Sequence, residues 1–92
     1  MRVIENMKKE EFLLKWDKKI LERYNIVIGS KTNVPYSTGC YQDGEKWFIY
    51  KVGERQNLVV VQQGVEDEII TTLNEIVEAK REQEERRERA KR

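Results

Sequence analysis

The sequence contains no histidine, so it lacks both the usual general base at neutral pH and the commonest metal ligand in proteins. Its single cysteine, Cys40, can form no disulfide within the chain and has no histidine to activate it as a nucleophile. The acidic residues are spread among Lys and Arg on helix-like segments, which is typical of solvated surface. We therefore expect no catalytic residue, no metal site and no cofactor, and we predict that the chain is not an enzyme.

Long apolar runs are also missing, and no stretch approaches the length that spans a bilayer. Residues Met1–Asn6 do not have the charged-then-apolar order of a secretory signal, and a single cysteine agrees with a reducing compartment. These features favour a cytoplasmic location. A second start-like segment begins at Met7, so we expect residues 1–6 to form a loosely held extension.

The sequence also has no large excess of positive over negative charge, or of negative over positive. Charged residues make up 38% of the 92 residues, but the formal net charge is only +1, which favours neither a nucleic-acid binder nor an acidic mimic. A chain of this length forms one domain with a modest core.

Proline and glycine are few, and most of them mark loops or turns. Gly29–Pro35 is predicted to be a loop after a short β-branched strand, Ile26–Ile28. The sequence Gly29-Ser30-Lys31-Thr32 is similar to the end of a phosphate-binding loop. However, the upstream glycine of that motif and the helix that should follow it are both missing, which argues against a nucleotide site.

The pair Asp43-Gly44 lies between two strand-like runs and predicts a β-hairpin with a type I′ turn. Its strands would be Ser37–Gln42 and Glu45–Val52. Counting outward from that turn gives the expected cross-strand pairs, which are Gln42 with Glu45, Tyr41 with Lys46, Cys40 with Trp47, Gly39 with Phe48 and Thr38 with Ile49. A looser turn around Gly53–Asn57 then leads to a third antiparallel strand beginning at Leu58.

Two segments have the apolar periodicity of helices. The first extends from about Met7 to Tyr24, with Asn6 as its expected N-cap and Trp16 in its apolar stripe. A long final helix begins near residues 65–67 with three acidic residues, and its apolar stripe ends by Val77. From residue 81 to the end the chain is almost entirely charged, so we expect a solvated helical extension whose deletion changes stability little.

This order predicts an α+β fold, with an antiparallel three- to four-stranded sheet and an N-terminal and a long C-terminal helix packed on one face. We expect one domain over residues 1–80 and the charged helical extension over 81–92. One sheet face then remains open. The sequence leaves two alternatives for its residues, either Trp47, Ile49, Val59 and Val61 or Phe48, Tyr50, Leu58 and Val60.

Partly exposed aromatic and aliphatic groups on such a face indicate a protein-binding surface. The candidate partner-binding residues are Tyr41 and Lys46 on the hairpin and Arg55 in the following turn. Tyrosine and arginine are common interface anchors because they combine a large contact area with directional hydrogen bonds.

The stretch Cys40–Tyr50, followed by Gly53-Glu54-Arg55 and an acidic start to the final helix, resembles small immunity proteins of bacterial polymorphic-toxin systems. The resemblance covers about residues 36–80. It implies a cytoplasmic antidote that binds and occludes one cognate toxin domain.

Two alternatives remain. Double-stranded-RNA-binding domains share an α–β–β–β–α order, but the start of their last helix is basic, whereas Glu66, Asp67 and Glu68 stand here. The other alternative is a small regulatory subunit that dimerises through the C-terminal helix. The sequence does not fix the oligomeric state.

Overall fold

A computed structural model describes residues 6–90, so the predicted extension 1–6 lies outside them except for Asn6. The fold is α+β, with four strands and a long C-terminal helix, as predicted. The elements in chain order are α1 Lys9–Lys15, α2 Lys18–Arg23, β1 Ile26–Ile28, β2 Thr38–Asp43, β3 Lys46–Val52, β4 Leu58–Gly64 and α3 Glu66–Ala90.

The strands form one sheet in the order β1-β2-β3-β4. The two pairs β2–β3 and β3–β4 are antiparallel, but β1 pairs parallel to β2, so the prediction of a purely antiparallel sheet is wrong. The connection from residue 29 to 37 explains the difference. A parallel neighbour requires the chain to return to the opposite end of the sheet, and this long loop makes that return.

The N-terminal helical segment is two short helices rather than one. Trp16 leaves α1 with extended backbone angles (φ −119°, ψ 108°), and Asp17 caps α2 by accepting a hydrogen bond from the Ile20 amide at 2.9 Å. The predicted N-cap at Asn6 is wrong, because α1 begins after Lys8 without a side-chain cap. The periodicity of the stripe continued through the break, which is why the sequence pattern did not reveal it.

Trp16 lies in the core, where it is 1% exposed and its indole Nε1 donates to Asn74 Oδ1 at 2.8 Å. The core occupies the layer between all three helices and one face of the sheet. Its fully or almost fully buried members are Phe12, Trp16, Leu21, Ile26, Cys40, Trp47, Ile49, Ile69, Ile70, Leu73 and Val77.

The hairpin is present, but its turn is one residue further along than predicted. Asp43 pairs with Lys46, so the two loop residues are Gly44 and Glu45. Gly44 has a φ of +66° and Glu45 does not have a positive φ, which is the pattern of a type II′ turn with glycine first.

Moving the turn changes every predicted cross-strand partner by two residues. Tyr41 lies opposite Phe48 instead of Lys46, and Cys40 lies opposite Ile49 instead of Trp47; likewise Gln42, Gly39 and Thr38 pair with Trp47, Tyr50 and Lys51. Because side chains alternate with a period of two, a shift of two leaves each residue on its predicted face.

The third strand pair contains an irregularity that the sequence did not indicate. The register between β3 and β4 shifts between Ile49 and Tyr50, which pair with Gln62 and Val60, so Val61 is the extra residue of a β-bulge. Gln62 points to the helix side and its amide donates to Thr72 Oγ1 of α3 at 3.0 Å. β4 is therefore attached to the helical layer as well as to β3.

Helix α3 continues past Val77, the last buried apolar residue of its stripe, and still contacts the domain for about two further turns. The Arg81 guanidinium lies 5.0 Å from the centre of the Trp16 ring, and Glu84 pairs with Arg23 of α2 at 2.7 Å. Within residues 6–90, none of the helices has the length and apolar content needed to cross a membrane.

Candidate protein-binding face

The two sheet faces use alternate residues of the same strands, and the helices cover only one of them. Trp47 and Ile49 point into the helix-covered core. On the other face, Tyr41 of β2 and Phe48 of β3 are cross-strand neighbours and both are half-buried. Of the two alternatives that the sequence left open, the open face is therefore the one that contains Phe48 and Val60.

The two aromatic rings on the open face form an ordered pair. The ring centroids of Tyr41 and Phe48 are 5.1 Å apart with an interplanar angle of 18°, a stacked arrangement. Tyr41 also contacts Tyr50 with centroids 5.8 Å apart and rings tilted by 50°. Such pairs contribute about 0.5–1.5 kcal/mol beyond area burial, so the rings are fixed before any partner arrives.

Tyr50 is fully buried on this face, because the loop from residue 29 to 37 folds over it. Its hydroxyl accepts from the Thr32 amide at 3.0 Å and donates to the Ser30 carbonyl at 2.9 Å. Its ring lies over Gly39, where an added Cβ would be 2.5 Å from the Tyr50 hydroxyl. Burial raises the pKa of the Tyr50 hydroxyl. The loop thus closes one end of the face and leaves Tyr41 and Phe48 accessible.

A positive charge lies beside the aromatic pair. The Lys31 ammonium, carried by the same loop, is 4.5 Å from the centre of the Tyr41 ring, within the range of a cation–π interaction. Lys46 is exposed and lies two residues before Phe48 in β3, so it is on the same face at the hairpin end. The surface therefore combines an apolar centre with two lysines at its rim, and the exposed Asp43 lies opposite Lys46 at the hairpin end.

The structure brings two of the three predicted site residues together. Tyr41 and Lys46 share the open face near the hairpin turn. Arg55 is exposed in the turn after β3, at the opposite end of that strand and about 20 Å away at the usual rise per residue.

The three residues predicted for the site did not include Phe48, Lys31 or Val60, although Phe48 and Val60 belonged to one of the two alternatives for the open face. Phe48 could have been included, because the alternation of Trp47, Phe48, Ile49 and Tyr50 already separates two faces. Lys31 could not, since its place beside Tyr41 depends on how the loop crosses the sheet.

The described residues offer little for covalent or metal chemistry. Between residues 6 and 90 there is no group of three His, Cys, Asp or Glu side chains that could hold a metal ion. Cys40 is fully buried against the core, and burial raises the pKa of its thiol, which favours the less reactive protonated form.

Comparisons with protein-family models, with curated proteins and with solved structures found no match.

Proposed function

We propose that this chain is a cytoplasmic immunity protein that binds one toxin domain through its open sheet face. The observation that carries the protein-binding part is the stacked Tyr41–Phe48 pair, which stays half-exposed while the opposite sheet face is buried by three helices. The identity of the partner as a toxin domain is an inference from the resemblance over residues 36–80.

The face has the composition of a protein interface rather than of a folding core. An aromatic pair at the centre provides contact area at low entropic cost, because the rings are already packed against each other. The Tyr41 hydroxyl and the Lys31 and Lys46 ammonium groups supply polar contacts around it. Tyrosine at the centre of an interface is a common hot spot, and surrounding residues exclude water from it.

A protein partner fits this face better than a nucleic acid does. Nucleic-acid bases stack on free aromatic faces, whereas Tyr41 stacks on Phe48 and is also approached by Lys31. The start of α3, where a double-stranded-RNA-binding domain is basic, carries Glu66, Asp67 and Glu68, and these would repel phosphates.

Dimerisation through α3 is also disfavoured by the packing. Its apolar stripe, which includes Ile69, Ile70, Leu73 and Val77, is buried against the sheet of the same chain. No apolar side of that helix is left for a second copy within the described residues.

The test is a calorimetric titration of the wild-type chain and of Tyr41→Ala and Phe48→Ala against the toxin domain encoded beside its gene. We expect each substitution to weaken binding by about 1–3 kcal/mol, the range of moderate hot spots. The matched control is Leu14→Ala, an apolar side chain that is 88% exposed on α1.

The control should bind as the wild type does, and circular dichroism confirms that each variant is folded. Arg55→Ala then shows how far the interface extends along the sheet. Equal affinity of all variants would place the interface elsewhere. Absence of binding to any neighbouring toxin domain would contradict the immunity function, and tight salt-sensitive binding to duplex RNA would favour the alternative.

A further inference from the structure

The outer edge of the sheet at β4 is apolar and uncovered. Val59, Val60 and Val61 are 50%, 44% and 51% exposed, although valine is typical of covered strands. The strand from Leu58 to Gly64 contains no charged residue. Edge strands are usually protected by lysine or other charges, so this edge lacks the common protection against pairing with another strand.

The backbone of this edge also has groups available for pairing. Val52 donates its amide to Ser37, that is, toward β2. Since backbone directions alternate along a strand, the Tyr50 amide points the same way, and Tyr50 and Val60 form a non-hydrogen-bonded pair. The amide and carbonyl of Val60 therefore point away from the sheet, where no further strand lies among residues 6–90.

The charges at the two ends of β4 are opposite. The charged residues beside the first residue of β4 are Lys51, Arg55 and Glu54, which give this end a net charge of +1 (two positive, one negative).

The residues around the last residue of β4 carry a net charge of −2, with four negative and two positive groups: Glu66, Asp67 and Glu68 at the start of α3, Glu45 and Lys46 at the hairpin, and Lys8, which pairs with Asp67. An antiparallel neighbour with the same strand would place each positive end beside a negative end.

We propose that the occupant of this edge is a second copy of this chain, with the two β4 strands antiparallel about a twofold axis near the middle of the strand. In that arrangement Arg55 of each copy lies close to the acidic start of α3 in the other. The continuous sheet would bury the three valines of both copies, and the Val60 backbone groups would form hydrogen bonds across the axis. This inference does not depend on the proposed toxin partner, because it rests on the free backbone groups of the β4 edge, although the Val60 side chain itself lies on the open face.

The contact is small. Three half-exposed valines per copy, with the strand backbone, bury less than the area of about 1,200 Å² or more that stable interfaces bury. The bulge at Val61 also adds twist at the edge. Self-association is therefore weak and concentration-dependent, and it changes with salt because its ends are charged.

The test is sedimentation equilibrium of the purified chain over about 1 µM to 1 mM at low and high salt. We expect a monomer–dimer equilibrium that salt weakens. Val60→Lys should raise the dimer dissociation constant at least about tenfold, because it places two like charges at the axis. Leu14→Lys is the matched control, since Leu14 is 88% exposed on α1, which is not part of the sheet, and it should dimerise as the wild type does.

A measurement on the unsubstituted chain keeps the test valid if Val60→Lys fails to fold. The Val60 amide should exchange with solvent more slowly at high than at low protein concentration, whereas amides bonded within the sheet should not change. A chain that stays monomeric over the whole range would overturn the proposal. So would a dimer that Val60→Lys leaves intact, or a concentration-independent Val60 amide.

Discussion

The two faces of the sheet use neighbouring residues of the same strands, yet they have different structural roles. On the helix-covered face Ile49 is fully buried among residues of all three helices. On the other face Phe48, the residue before it, is only half-buried, and its main aromatic contact is Tyr41. One face therefore contributes most of the buried core, and the other is available to the proposed partner.

The loop from residue 29 to 37 covers part of the open face and so defines its boundary. It buries Tyr50 at one end and leaves the Tyr41–Phe48 pair accessible at the other, with Lys31 beside it. A single strand therefore supplies buried core residues and partly exposed residues in alternation. The helices and the loop from residue 29 to 37 determine which residues of the strand are buried and which are exposed.

The largest expected effect separates the two faces directly. Ile49→Ala should lower the free energy of unfolding by about 2–5 kcal/mol, because it removes buried atoms and leaves a cavity among the helices. Phe48→Ala should cost only about 1–2 kcal/mol, since its half-exposed ring loses less contact on truncation. Chemical denaturation of both variants measures the difference. Equal losses would mean that the faces contribute alike to stability.

The next largest effect concerns the closed end of the open face. In Gly39→Ala the new Cβ would lie 2.5 Å from the Tyr50 hydroxyl and 2.8 Å from the Val27 carbonyl, so strand or ring must move. We expect a loss of about 1–3 kcal/mol, the usual cost of overpacking. Thermal melts measure it, with Gly44→Asn at the turn as a milder glycine replacement, since asparagine tolerates positive φ. A neutral Gly39→Ala would show that the Tyr50 ring does not lie over Gly39.

Alkaline pH should lower the stability of the fold, because burial keeps one ionisable group on each sheet face protonated in the folded chain. Burial raises the folded-state pKa of Cys40 above 9.0 and of Tyr50 above 10.0. Above pH 9 the folded chain therefore binds more protons than the unfolded chain. The free energy of unfolding has its full value below pH 9 and falls as the pH rises further, by at most about 1.4 kcal/mol per pH unit for each group.

Denaturation at a series of pH values checks this expectation. Cys40→Ser removes the thiol on the helix-covered face. The stability of this variant should therefore begin to fall only near pH 10, where Tyr50 contributes. Partner binding by Cys40→Ser should be unchanged below pH 9. A decline that starts at the same pH in both proteins would contradict the assignment to Cys40.

The smallest effect defines where the helical layer ends. Deletion of residues 85–92 should change stability by less than about 0.5 kcal/mol, because exposed charged residues contribute little. Deletion of residues 81–92 should cost about 1 kcal/mol more, since it also removes the Arg81 contact with Trp16 and the Glu84 pair with Arg23. Equal stabilities would show that these two contacts contribute nothing.

Much of this architecture follows from the sequence, and the errors have identifiable physical causes. The apolar stripes of α3 and of the N-terminal segment and the division of β3 into two faces come from periodicity, which tertiary packing preserves, and the hairpin comes from the Asp43-Gly44 turn signal. The break at Trp16 and Asp17 was missed because the side chain of Asp17 caps a new helix without interrupting the stripe.

The remaining differences depend on interactions between distant residues. Asp43-Gly44 and Gly44-Glu45 are both acceptable two-residue turns, and the choice between them agrees with the stacking of Tyr41 on Phe48 across the strands. The parallel placement of β1 and the position of Lys31 depend on the path of one loop over the sheet. Of the candidate site, the sequence named Tyr41 and Lys46, which share the open face, whereas the place of Lys31 beside them could not be read from the sequence.

The measurement that tests the central claim most directly is an NMR titration of the isotope-labelled chain with the toxin domain proposed above as its partner. We predict that the largest changes in chemical shift occur at the ring and methyl signals of Tyr41, Phe48 and Val60, on the open face. Signals of Leu14 and Trp16, on the helical side, should remain unchanged. Large changes on the helical side with an unperturbed Tyr41–Phe48 pair would contradict the claim that the open face is the binding surface.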